Sequence, residues 1–152
     1  MIERFNIRTL GSFSFFQTID YMINDSDGSL IFSKGHKYRF KERNYYIVNY
    51  IMKIHLTSLK AYYDALGMFL GIKYKPPIYL TDNLIIIATS HLKDYDNIFI
   101  NYTNIKEIKD LGNIRKLIFK SGTTLETKLT LKYFIKIDMR LTVIKNHLKN
   151  IK

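Results

Sequence analysis

The stretch of residues 114–148 reads IRKLIFKSGTTLETKLTLKYFIKIDMRLTVIKNHL, and the spacing of its apolar residues changes in the middle. Residues 114–120 and 123–129 are rich in strand-forming side chains and are separated by Ser121 and Gly122, a pattern typical of a β-hairpin. After this hairpin the apolar residues recur at intervals of three and four, which predicts an amphipathic C-terminal helix. The apolar stripe of this helix consists of Phe134, Ile137, Leu141, Ile144 and Leu148. A hairpin followed by a helix, without regular strand–helix–strand alternation, favours an α+β fold.

The rest of the chain adds more strands and one short helix to this pattern. Short runs bounded by turn residues predict strands at residues 12–17, 29–33, 37–43, 84–89 and 97–103. Residues 58–70 have a period near 3.6, with Ser58 as a possible N-cap, and predict a short central helix. The adjacent Pro76 and Pro77 mark a turn between two halves. We therefore expect one domain over residues 1–152, built mainly from antiparallel β-sheet with a short central helix and a C-terminal amphipathic helix.

The composition excludes several classes of protein. Of the 152 residues, 47% are hydrophobic, which is enough for a folded core, and none is cysteine, so disulfides and thiolate metal sites are impossible. The apolar run at residues 84–88 is too short to cross a bilayer, and we expect a cytoplasmic protein without membrane contact. The four histidines lie far apart at positions 36, 55, 91 and 147, without zinc-site spacing. No metal or other cofactor is expected.

No pattern in the sequence supports an enzyme. Asp94 and Asp96 could form a carboxylate pair for metal-dependent nuclease chemistry, but the polar stretch around them is typical of a surface loop. The segment of residues 25–28, Asp-Ser-Asp-Gly, resembles the start of a calcium loop, yet its glycine comes too early and the closing glutamate is missing. It is better interpreted as a hairpin turn, and phosphate-binding and nucleophile motifs are absent from the sequence.

The charge of the chain points to nucleic acid. The formal net charge is +11, and residues 113–152 carry ten lysines and arginines against Glu126 and Asp138. A strongly basic balance of this kind is expected of a protein that meets phosphate backbones. A second explanation stays open, since abundant Lys, Ile, Asn, Tyr and Phe are favoured by AT-rich codons.

Two groups of polar residues are candidates for DNA contact. In the strand predicted at residues 37–43, period two places four cations on one face: Lys37, Arg39, Lys41 and Arg43. They could follow a phosphate backbone, or they could protect an edge strand from aggregation. The second group is Asn101, Asn104, Lys106 and Lys109. Such side chains read A·T pairs in the minor groove, although composition alone predicts only a strand end and a loop there.

A series of short motifs in residues 75–145 resembles the ComK family of competence transcription factors. Lys75-Pro76-Pro77-Ile78 and the following acidic turn and apolar strand, which ends at Thr89-Ser90, are similar to the family's KPPI and PTxS signature. The further matches are Phe99-Ile100, Ile105-Lys106-Glu107, the hairpin Leu117-Ile118-Phe119-Lys120-Ser121-Gly122, and Phe134 with Arg140 on the last helix. Each motif alone is common, but the ordered series is not.

This resemblance implies a positive regulator of DNA-uptake genes that does no catalysis. It implies binding to paired AT-rich boxes of double-stranded DNA as a homo-oligomer, largely through the minor groove. Lys75 and Arg140 join the candidate DNA-binding residues on this basis. The competing hypothesis is an accessory protein that kept the fold but binds a full-length relative or a proteolytic adaptor and modulates competence without touching DNA.

Overall fold

The computed structural model describes residues 3–5 and 13–151, and within them it contains four α-helices and ten strands. The helices are α1 (Phe13–Gln17), α2 (Asn44–Ile54), α3 (Leu59–Leu70) and α4 (Leu131–Asn150). The first five strands are β1 (Glu3–Phe5), β2 (Ile19–Asp25), β3 (Gly28–Ser33), β4 (His36–Phe40) and β5 (Ile78–Thr81). The last five are β6 (Leu84–Ala88), β7 (Phe99–Asn101), β8 (Ile105–Asp110), β9 (Arg115–Phe119) and β10 (Thr124–Thr127).

The strands form one large and one small sheet. The large sheet has seven strands in the order β1-β4-β3-β2-β7-β6-β5, and the small sheet has the order β10-β9-β8. Strands β1 and β4 are parallel, whereas the other neighbouring strands described are antiparallel. The predicted α+β class, with mainly antiparallel sheet, is confirmed.

The large sheet is covered on both faces. The first three helices pack on one face around a cluster that includes Phe16, Ile31, Phe40, Ile47, Ile51, Leu59, Ile86 and Phe99. The small sheet and α4 pack on the other face around Tyr21, Ile85, Ile87, Ile100, Leu117, Phe119, Phe134 and Ile137. All five residues of β6 are buried, because alternate side chains of this central strand point to two covered faces. Each buried leucine or isoleucine side chain of β6 contributes about 1.5–3 kcal/mol to folding.

Both predicted helices begin where the sequence indicates. The Ser58 hydroxyl accepts a hydrogen bond from the Ala61 backbone N–H at 3.1 Å and caps α3, and Gly71 ends this helix in the left-handed region with φ of 64°. The Thr130 hydroxyl accepts from the Tyr133 N–H at 3.1 Å and caps α4. Four residues of the predicted α4 stripe are buried, whereas Leu148 near the end of the helix is 38% exposed.

The predicted C-terminal hairpin is also confirmed. Strands β9 and β10 pair antiparallel across the Ser121–Gly122 turn, and Gly122 has φ of 91°, which suits glycine. The Ser121 hydroxyl donates to the buried Asp20 carboxylate of β2 at 2.6 Å. This hydrogen bond ties the tip of the small sheet to the middle of the large one.

Three predictions in the N-terminal half are wrong or incomplete. Residues 13–17 of the predicted strand 12–17 form the helix α1, and Ser12 lies outside the described residues. The strand predicted at residues 37–43 ends at Phe40, because α2 begins four residues later. Helix α2 itself was not predicted. Its buried residues Ile47, Val48, Ile51 and Met52 have helical spacing, but the tyrosines and β-branched residues around them favour strand.

Candidate nucleic-acid interface

The four cations predicted to share one strand face do not do so. Lys37 and Arg39 lie on β4, opposite to Tyr38 and Phe40, which pack in the core as expected. Lys41 and Arg43 follow the end of the strand, so the common row is wrong for them. The edge-strand alternative is wrong as well, because β4 lies between β1 and β3 in the described sheet.

Three of these cations make intramolecular contacts, and one of them is Lys37, whose ammonium lies 5.5 Å from the centre of the Phe32 ring. The Arg39 guanidinium forms an ion pair with the Asp25 carboxylate at 2.6 Å, and its side chain is only 17% exposed. The Arg43 guanidinium stacks over the Tyr95 ring at 5.5 Å from the ring centre. These contacts fix the β2–β3 turn and the start of α2. Lys37, Lys41 and Arg43 are exposed, whereas Arg39 is half-buried.

The asparagines of the second candidate group serve the fold. The side-chain oxygen of Asn101 accepts from the backbone N–H groups of Ile85 and Thr103, and its amide donates to the Gln17 carbonyl. Asn101 is 2% exposed, so it cannot reach a base edge. The Asn104 amide donates to the carbonyls of Gln17 and Ile19 at 3.0 and 2.9 Å, which uses both of its N–H groups.

The lysines of this group do lie on the surface. Lys106 and Lys109 are exposed on β8, an outer strand of the small sheet. Lys109 is opposite Lys116 on β9, which is opposite Glu126 on β10. Cross-strand partners share a face, and this face therefore mixes lysines with a glutamate and has a weaker positive potential than the sequence segment suggests.

The structure brings Lys75 and Arg140 to one place, although 65 positions separate them in the sequence. The Arg140 guanidinium donates to the Tyr74 carbonyl at 2.7 Å, and the Tyr133 hydroxyl donates to the Lys75 carbonyl at 3.0 Å. Both donors lie on α4, so this helix clamps the turn at residues 74–75. The Lys75 ammonium lies 4.9 Å from the centre of the Tyr133 ring, a cation–π contact.

The backbone of this turn is strained. Tyr74 and Lys75 have φ of 52° and 46°. This left-handed conformation costs a residue other than glycine about 1–2 kcal/mol. Consecutive strained residues persist where the surrounding structure over-determines them, and they cluster at functional sites. Here the hydrogen bonds from Tyr133 and Arg140 supply that constraint.

A cleft of about 370 Å³ opens between this turn and the start of α4. We name it the Lys75 cleft. It is lined by Tyr74, Lys75, Thr89, Thr127, Lys128, Leu129, Thr130 and Tyr133. The first turn of α4 contains no acidic residue, and its free N–H groups and dipole favour an anion. Burial raises the pKa of the Tyr133 hydroxyl to about 12, so it stays a neutral donor.

Sequence reasoning missed two members of this cleft. Lys128 and Tyr133 flank the Thr130 cap, and that cap was the available signal, because a helix N-terminus next to a lysine suits an anion. Their proximity to Lys75 follows from the packing of α4 on the turn, which no local pattern reports.

A family model described as ComK protein matches residues 19–150. The chain belongs to the ComK family. The predicted resemblance covers residues 75–145, and the match extends it to most strands of the large sheet and to the helices α2 and α3. ComK proteins are competence-related transcription factors and not a family of enzymes. The comparisons with curated proteins and with solved structures gave no match.

Two other kinds of site have no counterpart in the part of the chain that the structure describes. No group of three or more histidine, aspartate or glutamate side chains is placed to hold a metal ion among residues 3–5 and 13–151. None of the four described helices is long and apolar enough to span a bilayer.

Proposed function

We propose that this ComK-family protein is a DNA-binding regulator of DNA-uptake genes that acts in the cytoplasm on AT-rich duplexes. The observation that carries the proposal is that Lys75 and Lys128 line one cleft at the N-terminus of α4, in a chain with a net charge of +11. Arg140, farther along the same helix, holds the turn that carries Lys75. A helix N-terminus flanked by lysines is suited to a phosphate group. The Lys75 cleft therefore serves as the anchor for one phosphate of the DNA backbone.

The anchor positions the protein, and a second surface gives the A·T preference. Lys106 and Lys109 are exposed and remain candidates for the minor groove, whose narrow A-tracts attract cations. Asn101 is excluded from base contact by its burial, and Asn104 has already donated both amide N–H groups. The preference for A·T therefore depends on groove shape and potential more than on hydrogen bonds to bases.

A protein partner is favoured by one further observation. The outer side of α4 carries an apolar ridge with residues four positions apart: Leu131, Ile135, Met139 and Val143, which are 42–66% exposed. Four large apolar side chains in one row typically mark an interaction surface. This ridge is the candidate interface for self-association on paired DNA boxes. In the alternative function, without DNA binding, it contacts a full-length relative or a proteolytic adaptor.

The proposal is tested by a band-shift competition on an AT-rich duplex. A drug that occupies the minor groove should displace the protein, whereas methylation of bases in the major groove should leave binding unchanged, because the two grooves expose different groups. If methylation weakens binding and the minor-groove drug does not, minor-groove binding is rejected. No shifted band for either AT-rich or GC-rich DNA would reject DNA binding and leave the protein-partner alternative.

A further inference from the structure

A second, larger groove adjoins the Lys75 cleft. It has a volume of about 790 Å³ and lies between α2, α3 and the loop that follows β6. Three residues, Tyr74, Lys75 and Thr89, line both cavities, so the two are adjacent. We name this cavity the tyrosine groove. Its volume falls within the range of about 300–1,000 Å³ that is typical of sites for small ligands.

The lining of the tyrosine groove combines aromatic rings with lysines and also includes the carboxylates of Asp64, which is paired with Lys60 at 2.8 Å, and Asp94. Tyr45, Tyr63 and Tyr74 contribute rings, and Tyr74 is 72% exposed. The Lys93 ammonium lies over the Tyr45 ring at 5.3 Å, and the Lys75 ammonium lies over the Tyr74 ring at the same distance. Both lysines thus hold their charge beside an aromatic wall. This combination recognises a planar ring joined to an anionic group.

Two hydroxyl groups at this wall have no hydrogen-bond partner among the described residues. They are the Tyr63 hydroxyl and the Ser90 hydroxyl, and both oxygens are buried. Most buried polar atoms in proteins are paired, so an unpaired hydroxyl beside a cavity needs an explanation. Burial raises the pKa of Tyr63 well above its usual value, which keeps this hydroxyl a neutral donor.

The strained turn at residues 74–75 fixes the side of the groove where ring and charge meet. Tyr74 projects from a left-handed residue that α4 clamps through Arg140, so its ring is positioned before any ligand arrives. Apart from its contact with the Lys75 ammonium, the 72% exposed Tyr74 ring gains little from packing to offset the strain of its backbone. We attribute this arrangement to preorganisation for a ligand.

We propose that the tyrosine groove binds one nucleotide unit, with the base against the tyrosine rings and the phosphate at Lys75 and Lys93. A purely apolar ligand would leave the lysines and hydroxyls unmatched, and a small inorganic anion would leave most of the groove and its rings unused. The nucleotide has two possible sources, a free mononucleotide or an unpaired nucleotide in a DNA strand. The proposal goes beyond duplex binding and does not depend on it.

The test measures binding of dTMP and dAMP by calorimetry and binding of a fluorescein-labelled single-stranded oligothymidylate by anisotropy. Tyr74→Ala should lower the affinity for whichever ligand binds by about tenfold, the usual effect of removing a stacking ring. Lys93→Gln, which changes the groove but not the Lys75 cleft, should weaken it about threefold. The control is Phe69→Ala, because Phe69 is 66% exposed on α3 outside the groove, and this variant should bind as the parent does.

Each result has a defined meaning. Binding of mononucleotides that depends on Tyr74 and Lys93 assigns the groove to free nucleotides, and the same dependence for the oligonucleotide alone assigns it to an unpaired strand. No binding of either ligand at millimolar nucleotide concentration, or equal binding by Tyr74→Ala and Phe69→Ala, overturns the proposal. Duplex affinity measured on the same protein samples separates this outcome from failure of the proposed function.

Discussion

Leu56 occupies the position after α2 that glycine usually takes. Its φ is 62°, and the backbone N–H groups of Leu56 and Thr57 donate to the carbonyls of Lys53 and Met52, which closes the helix end. The Leu56 side chain is 95% exposed, so it gains almost nothing from packing. The left-handed conformation costs a leucine about 1–2 kcal/mol, and replacement by glycine removes this strain. Part of the gain is lost because glycine gives the unfolded chain more conformational entropy.

Leu56→Gly should therefore stabilise the protein by about 0.5–1 kcal/mol, which raises Tm by about 2–4 °C in a domain of this size. Thermal unfolding followed by circular dichroism measures the change. Leu111→Gly is the matched control, since Leu111 is also exposed but has a negative φ. That substitution should lower Tm slightly. A fall in Tm for Leu56→Gly would contradict the backbone geometry assigned to this turn.

Asn101→Ala should destabilise the protein by about 2–4 kcal/mol, because it leaves the Ile85 and Thr103 N–H groups and the Gln17 carbonyl with fewer partners. Urea unfolding measures this loss, and Asn146→Ala, at an exposed position on α4, is the control. DNA affinity of the folded fraction should stay unchanged. Intact stability with weakened DNA binding would restore Asn101 as a base-contacting residue.

Asn101 also shows where sequence reasoning stops at the scale of single residues. An asparagine beside lysines has the chemistry to read a base or to satisfy buried backbone groups, and only burial distinguishes these roles. Burial depends here on β7 lying between β2 and β6, residues that are distant in the sequence. The Arg39–Asp25 ion pair could not be predicted either, because its partners lie on β4 and β2 and meet only when the sheet forms.

At the scale of elements, α4 has two apolar sides with different roles. Leu141 is 6% exposed against the large sheet, whereas Met139, two positions earlier, is 66% exposed on the outer ridge. Leu141→Asp should lower the free energy of unfolding by more than about 3 kcal/mol, because it buries an unpaired carboxylate. Met139→Asp should change it by no more than about 0.5 kcal/mol.

Denaturant unfolding and gel filtration of both variants test this assignment. If the ridge mediates self-association, Met139→Asp should elute as a folded monomer from an oligomeric parent. Equal losses of stability in the two variants would show that both sides of α4 are buried.

The elements that the sequence predicted well are those with local signals. The hairpin at residues 115–127 has a short turn and matched strands, α3 has its Ser58 cap, and α4 has a long stripe of period 3.6. Helices α1 and α2 were missed because their aromatic and β-branched residues have strand propensity, which tertiary packing overrides. The Lys75 cleft joins a loop to a helix 56 positions later, so no local pattern reveals it.

At the scale of the whole molecule, the positive charge is mostly unpaired. Lysines and arginines number 24 against 13 acidic residues, and only four cations of the described residues are in ion pairs with acidic side chains. Contacts between such cations and DNA phosphates release counterions, so affinity depends on salt. We expect the Lys75 cleft to contribute part of this salt-dependent binding.

The most direct test is the salt dependence of affinity for a fluorescent AT-rich duplex, measured for the parent and for Lys75→Ala/Lys128→Ala. With about five phosphates engaged, log K should fall against log salt with a slope near −4 to −5, and the double variant should be shallower by about 2. The control is Lys145→Ala/Lys149→Ala, with the same charge loss about 20 Å or more along α4 from Thr130, and it should keep the parent slope. A parent slope near zero, or equal slopes for the two double variants, would show that the Lys75 cleft does not bind DNA phosphates.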